Sequence, residues 1–365
     1  MRKVISQNAE FWMKEEKIPG CALCIIHKGK IDYIQYIGYA NKQFNRPVSE
    51  ETIFQLGSIS KSMTSWGVMK LVEQQQLELD RPICDYLNGW KLPLSHYDDN
   101  KITVRHLLSH MAGINVNSYL GVREQEEGYS TIDSLTGKRY RHTQVRLVRE
   151  PGESFLYSGG GYTVLQYIIE TLTKMPFDLF MEKEVFQPLG IHGYFRIPGK
   201  DNNKQAYPYG SFGGSQPIYS FPEMSAAGVQ MSLPELSKFV LSHWTPNNGV
   251  LGQKTLDQMF KKVNISVLYG LGYFVRNTQS KHHIFSMGRN RGLFSRFDIF
   301  HREGEAFIIL TNSINGSNLS NRLLRPWYKY QLNNSEPNSN TLFLNNTNKF
   351  SAFLQERLFL MKHLK

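Results

Sequence analysis

The stretch FQLGSISKSMTSW, residues 54–66, places Ser58 three residues before Lys61. A serine hydroxyl is a weak nucleophile at neutral pH and needs a neighbouring base. On a helix, positions i and i+3 share a face, so the Lys61 amine can reach the Ser58 hydroxyl. A helix that starts at Ser58 adds a partial positive field that favours an alkoxide or oxyanion. The spacing therefore suits a nucleophile beside its activating amine. It equally suits a polar helix cap, because a bare Ser-x-x-Lys arises by chance about once in a chain this rich in both residues.

Other residue groups with chemical potential read as structural. His106 and His110 stand at i, i+4, a spacing that can hold zinc, but HLLSH lacks the glutamate of H-E-x-x-H, and both read as structural helix histidines. Gly159, Gly160 and Gly161 lack the G-K-[ST] of a phosphate loop and read as a place of close backbone approach. YGSFGG around Ser211 does not match the G-x-S-x-G elbow. Cys21 and Cys24 have C-x-x-C spacing, but CALCII reads as a strand, where an odd offset points the thiols to opposite faces. Three cysteines make no disulfide framework. No metal or organic cofactor is expected.

The elements that must position these residues lie in a chain of 365 residues, 41% hydrophobic and 20% charged, which reads as a soluble globular protein. No apolar run approaches the ~20 residues of a membrane helix, and MRKVISQNAEFWMKEEK has no apolar signal core. A cytoplasmic protein is the expectation, or the mature form of an exported one. The net charge of +11 is scattered apart from GKRYRHTQVRLVR at 137–149. No nucleic-acid-binding pattern accompanies it, so a solvated basic face is expected and no nucleic-acid partner.

Residues 2–17 show helical spacing, and CALCIIHKGKIDYIQYIG reads as a hairpin around Lys28–Gly29. Residues 59–76 read as a helix from the recurrence of Ile59, Met63, Trp66, Met69 and Val72. Helices and long loops continue to about residue 245, with ITVRHLLSHMAG, GYTVLQYIIETLT, PFDLFMEKEVFQPLG and SLPELSKFVLSHW as helical segments. Strand patterns return in GLGYFV, HHIFSMG and LFSRFDIFHREGEAFIILTN. Strands at both ends with helices between them predict an α+β fold. Its sheet is built from about residues 1–57 and 246–332, with a mostly helical region at about 58–245. Residues 333–365 read as an Asn-rich linker followed by a short helical segment that docks or mediates association.

In this setting the chain resembles the serine β-lactamase and penicillin-binding-protein superfamily, closest to class C β-lactamases and their esterase and peptidase relatives. IFQLGSISKSMTS is similar to the first motif, with Ser58 as nucleophile and Lys61 as its partner. PGESFLYSGGGY resembles the second, which makes Tyr157 the base. ITVRHLLSHMAGI, FQPLGIHGY, SAAGVQMSLPELSKFV and GEAFIILTNSING match framework segments in the family's order, over about residues 5–330. Two departures stand out. The second motif, usually Tyr-x-Asn, here ends at Gly159. The third, usually Lys/His-x-Gly, here reads Ser286-Met287-Gly288, so its cation is missing, with Arg289 and Arg291 close enough in sequence to replace it.

The resemblance implies a serine hydrolase that forms an acyl-enzyme on Ser58 and cleaves an ester or peptide-like amide. Lys61 would keep Tyr157 as a phenolate, and the backbone N–H groups of Ser58 and Arg289 would form the oxyanion hole. Gly159, Ser286 and Gly288 would line the substrate site. A small molecule or peptide is the expected partner. The alternatives are a β-lactamase or D-Ala-D-Ala carboxypeptidase, and a non-catalytic binding member of the fold.

Overall fold

The computed structural model describes residues 2–123, 128–196, 203–245, 249–277 and 281–332. Its strands are β1 (Gly20–His27), β2 (Lys30–Asn41), β3 (Arg46–Pro47), β4 (Phe54–Gln55), β5 (Gln230–Met231), β6 (Phe274–Asn277), β7 (His282–Asn290), β8 (Leu293–Phe300) and β9 (Glu305–Thr311). Its α-helices are α1 (Arg2–Glu15), α2 (Ile59–Glu73), α3 (Val104–Leu108), α4 (Thr131–Thr136), α5 (Gly159–Thr173), α6 (Phe177–Met181), α7 (Leu233–Leu241), α8 (Gln253–Met259) and α9 (Gly316–Leu332).

Seven strands form one antiparallel sheet in the order β3-β2-β1-β9-β8-β7-β6. The predicted hairpin closes at Lys28 and Gly29, both with positive φ (49° and 69°), which suits the strand twist in a two-residue turn. β1 then pairs with β9, Cys21 opposite Thr311, so the two ends of the sequence meet in the middle of the sheet. β8 and β9 are buried along their whole length, as expected of strands covered on both faces. The α+β prediction therefore holds.

Each face has its own core. Cys21, Leu23 and Ile25 pack with Ile5 and Ala9 of α1 and with Leu319, Leu323 and Trp327 of α9. Ala22, Cys24 and Ile26 pack toward Met63 and Trp66 of α2 and the helical region. The two cysteines thus lie on opposite faces, as the odd offset requires. Helix α9 was absent from the sequence expectations. Its Asn/Ser-rich start and the internal Pro326 obscure a usable signal, the apolar spacing of Leu319, Leu323 and Trp327.

A second correction concerns the region read as helical. β5 lies inside it and pairs with β4, Phe54 opposite Met231 and Gln55 opposite Gln230. This short ladder aims the chain into α2. Every residue of α2 from Ile59 to Met69 is buried, including the polar ones. Those polar side chains are satisfied by backbone carbonyls: Ser60 donates to Gly57 O at 2.6 Å, Ser62 to Gly272 O at 2.7 Å and Thr64 to Ser225 O at 3.0 Å. A helix apolar or satisfied all round is an internal helix. The stretch expected beyond residue 332 lies outside the described residues.

Candidate active site

Ser58 is the N-cap residue of α2, yet its side chain makes no capping hydrogen bond. The hydroxyl instead faces Lys61, whose Nζ donates to Ser58 Oγ at 3.1 Å and to the carbonyl of Ala226 at 2.7 Å. Lys61 is buried, and burial pulls its amine down from 10.5 to about 7. No salt bridge involves Lys61 among the described residues, so nothing anionic opposes that shift.

Tyr157 enters from the loop before α5. Its ring centroid lies 5.1 Å from Lys61 Nζ. Burial pushes its phenol up to about 12, an effect that hydrogen bonding to Ser58 opposes only in part. These two shifts favour a neutral amine and a protonated phenol over the ammonium and phenolate pair expected from the resemblance. Near pH 7 a large share of Lys61 is then neutral while Tyr157 keeps its proton, so the amine is available to accept a proton and the phenol to donate one.

The third wall is β7. Among the described residues, those of β7 beyond Phe285 have no β6 partner. Here two glycines allow a close backbone approach. A Cβ at Gly57 (φ 52°) would stand 2.7 Å from Arg289 N, and one at Gly288 would stand 2.7 Å from Ser58 N. Neither position tolerates a side chain, and the amides of Ser58 and Arg289 are brought to the same place.

The remaining predicted positions behave differently. The Ser286 hydroxyl is buried and lies 2.8 Å from Ser62 Oγ. The Ser62 hydroxyl lies within donating distance of both Gly272 O, at 2.7 Å, and Ser286 Oγ, which accepts. Ser286 thus packs on α2 as an acceptor. Arg291 is committed to Tyr219, donating to its hydroxyl at 2.9 Å with the guanidinium 4.5 Å from the ring centroid. The Arg289 guanidinium lies 5.6 Å from the Phe294 ring centroid. Phe294 belongs to the core on the α1 and α9 face, whereas Ser286 packs on α2. At Gly159 a Cβ would contact Asn117 O at 3.2 Å and the Tyr119 ring at 3.3 Å, so Tyr119 occupies the side where an amide would extend.

The two histidines of HLLSH part company. His106 caps α3, accepting at Nδ1 from Thr103 N–H at 3.4 Å. His110 lies past the end of that helix with a positive φ of 60°, against the Tyr157 ring at 4.2 Å between centroids. Reading it as a helix histidine is corrected: the left-handed backbone turns it out of the helix and under Tyr157. Among the described residues no group of three or more His, Cys, Asp or Glu is placed to hold a metal. The sequence carried no signal for the Ala226 carbonyl or for Ser62, because each meets its partner across a long loop of chain.

Known proteins resemble this chain in sequence and in fold. PbpX of Bacillus subtilis (strain 168), named as a penicillin-binding protein, is 25% identical over 324 residues, covering 86% of this chain and 75% of that protein. A beta-lactamase of Escherichia coli (strain K12) is 27% identical over 250 residues, 67% of this chain and 61% of that one. The chain thus spans about three quarters of the first relative and about three fifths of the second. The structure of EstCE1, a hydrolase with promiscuous acyltransferase activity, superposes with a TM-score of 0.70 over 86% of this chain and 94% of that one, at 21% identity. A family model described as Beta-lactamase matches residues 3–322, nearly the whole described fold with Ser58, Lys61 and Tyr157 inside it, and the chain belongs to that family.

Proposed function

We propose that this protein is a serine hydrolase that forms an acyl-enzyme on Ser58 and cleaves an ester or a peptide-like amide. The observation that carries the reading is the Lys61 amine, buried without an anionic partner 3.1 Å from Ser58 Oγ. As an ammonium it donates to both Ser58 Oγ and Ala226 O; the neutral amine keeps its N–H on Ala226 O and turns its lone pair to Ser58 Oγ, where it can take the Ser58 proton.

As Ser58 Oγ attacks the carbonyl carbon, its proton passes to Lys61 Nζ. The oxygen of the tetrahedral intermediate takes the negative charge and lies between the amides of Ser58 and Arg289. The C–O or C–N bond then breaks, and the leaving group receives the Tyr157 phenol proton, which Lys61 replaces. Water attacks the acyl-enzyme by the same groups in reverse order, releasing the acid and free Ser58. The positive end of α2 at Ser58 favours each oxyanion.

Esters are the favoured substrates over β-lactams and D-Ala-D-Ala peptides. The latter carry a carboxylate, and Ser286 offers it no cation while Arg291 is engaged by Tyr219. Incubation with a fluorophosphonate followed by intact-mass and peptide mapping tests the nucleophile. The expected result is one adduct, on Ser58, absent from Ser58→Ala; an adduct that persists in this variant refutes the assignment.

A further inference from the structure

We infer that His110 is a positioning residue that clamps the chain on both sides of Tyr157 and holds its phenol at Ser58, acting as the neutral imidazole with the proton on Nε2. The inference rests on the roles proposed for Ser58 and Tyr157.

Three contacts from one residue converge on Tyr157. The His110 carbonyl accepts from Leu156 N–H at 2.8 Å, and its Nδ1 accepts from Ser158 N–H at 3.1 Å. The residues before and after Tyr157 are thus held by the same histidine, and the imidazole lies 4.2 Å from the Tyr157 ring between them. With its backbone held at two points and its ring supported on one face, Tyr157 has little freedom to move its hydroxyl.

The backbone of His110 explains how one residue makes both bonds. Its φ of 60° lies in the left-handed region, which a side chain enters at a cost and which recurs where surroundings over-determine the conformation. That turn brings the carbonyl and the imidazole to the same strand of loop. The other side of the ring is enclosed by Tyr162, Tyr269 and Phe155, with centroids at 5.3, 4.8 and 5.8 Å.

The tautomer follows from the same geometry. Nδ1 accepts from an amide, so it carries no proton, and the neutral ring must carry it on Nε2. Nε2 is buried with no hydrogen-bond partner among the described residues. A proton added at Nδ1 would oppose Ser158 N–H donor to donor. The cost of an unpaired N–H is therefore retained in exchange for a fixed acceptor under Ser158.

Two substitutions separate the clamp from simple packing. His110→Phe keeps a ring and removes the acceptor, whereas His110→Asn places an oxygen near the Nδ1 position and tolerates positive φ. With p-nitrophenyl acetate, His110→Phe is expected to lower kcat on the order of 10²-fold, the cost of a misplacement of about 1 Å, with KM changed by less than about threefold. His110→Asn is expected to recover all but about tenfold of that loss. Tyrosine labelled at 13Cζ, with Tyr157 assigned through Tyr157→Phe, reports the phenol directly: its resonance should move in His110→Phe and stay in His110→Asn. Imidazole 15N spectra of the wild-type protein should show a bare Nδ1 and a protonated Nε2. A kcat for His110→Phe near wild type, an unmoved Tyr157 resonance in that variant, or a wild-type proton on Nδ1 would each overturn the proposal. If neither variant folds, the wild-type 15N spectrum decides. If Ser58→Ala retains activity, the nucleophile reading fails, and the Tyr157 resonance still decides the clamp.

Discussion

The hydroxyl of Ser286 on β7 lies 2.8 Å from that of Ser62 on α2, buried between strand and helix. This pair joins the sheet to the nucleophile's helix at the position where relatives in the family keep a cation. Ser286 supplies no positive charge at this position. Each charge-assisted hydrogen bond to a substrate carboxylate that is missing here is worth roughly 1.5 to 3 kcal/mol. Short-chain p-nitrophenyl esters should therefore be cleaved with a kcat/KM at least about 10-fold to 100-fold above that for nitrocefin or penicillin G. Ser286→Lys should narrow the gap and cost stability, because it buries an ammonium. A wild-type protein that hydrolyses β-lactams as well as esters would mean that Arg289 reaches the carboxylate.

Lys61 sets the pH dependence. With its amine drawn down to about 7 and the Tyr157 phenol pushed up to about 12, acylation should rise with pH through about 7 and then stay level up to the phenol ionisation. Stopped-flow measurement of fluorophosphonate labelling from pH 5 to 10, numbers chosen to bracket roughly that range, checks the limb. A profile that rises only above pH 9 or so would return the base role to a Tyr157 phenolate.

The same shift has a cost in stability. Between about 7 and 10.5 the unfolded chain binds a proton at Lys61 that the folded chain does not, so this group makes stability rise with pH across that window. Lys61→Met should abolish turnover and stabilise the fold at neutral pH by about 1 to 4 kcal/mol, as apolar replacement of other buried charges does. Urea melts of the two proteins at pH 7 give the comparison, and a destabilised Lys61→Met would show that the Ala226 contact outweighs the desolvation.

Tyr157→Phe keeps the ring stacked near Phe274, at 6.4 Å between centroids, and removes the phenol. The rate should fall roughly 10² to 10⁴-fold with the melting temperature unchanged. Turnover close to wild type would assign leaving-group protonation to another residue.

A distant site governs the docking of α9. Arg296 donates to Asp298 at 2.6 and 2.9 Å and to the Tyr328 hydroxyl at 2.8 Å, and His283 Nε2 lies 2.9 Å from Asp298, all of them buried. Burial alone would raise the Asp298 carboxyl, but the Arg296 charge and these hydrogen bonds hold it well below the usual range. A depressed folded value means that the stabilisation is complete above the ordinary carboxylate range, near 4, and is lost as pH falls below it. Asp298→Asn should cost about 3 to 5 kcal/mol, because it leaves Arg296 buried without its counter-ion. Thermal melts at pH 7 and pH 3, roughly either side of the carboxylate range, should show the variant's deficit shrinking in acid.

The Ser58–Lys61 pair was legible in the sequence because an i, i+3 relation depends only on local helix geometry. The same holds for the hairpin at Lys28–Gly29 and for the opposed faces of Cys21 and Cys24, which follow from short-range backbone rules. Tyr157 was legible through the order of motifs along the chain. Local rules do not reach the protonation states. Those depend on what is excluded from the neighbourhood: Lys61 is desolvated by the chain packed around α2, and the carbonyl that accepts from its amine lies 165 residues away. The partner of Ser286 is 224 residues distant, and the clamp on Tyr157 is formed by a histidine about 48 residues earlier, whose left-handed backbone no propensity rule anticipates. The sequence alone determined which groups could react and where their helix begins. Tertiary structure alone decided how deeply each of them is buried and what it hydrogen-bonds, because desolvation and hydrogen bonding sum over contacts that the order of residues does not list.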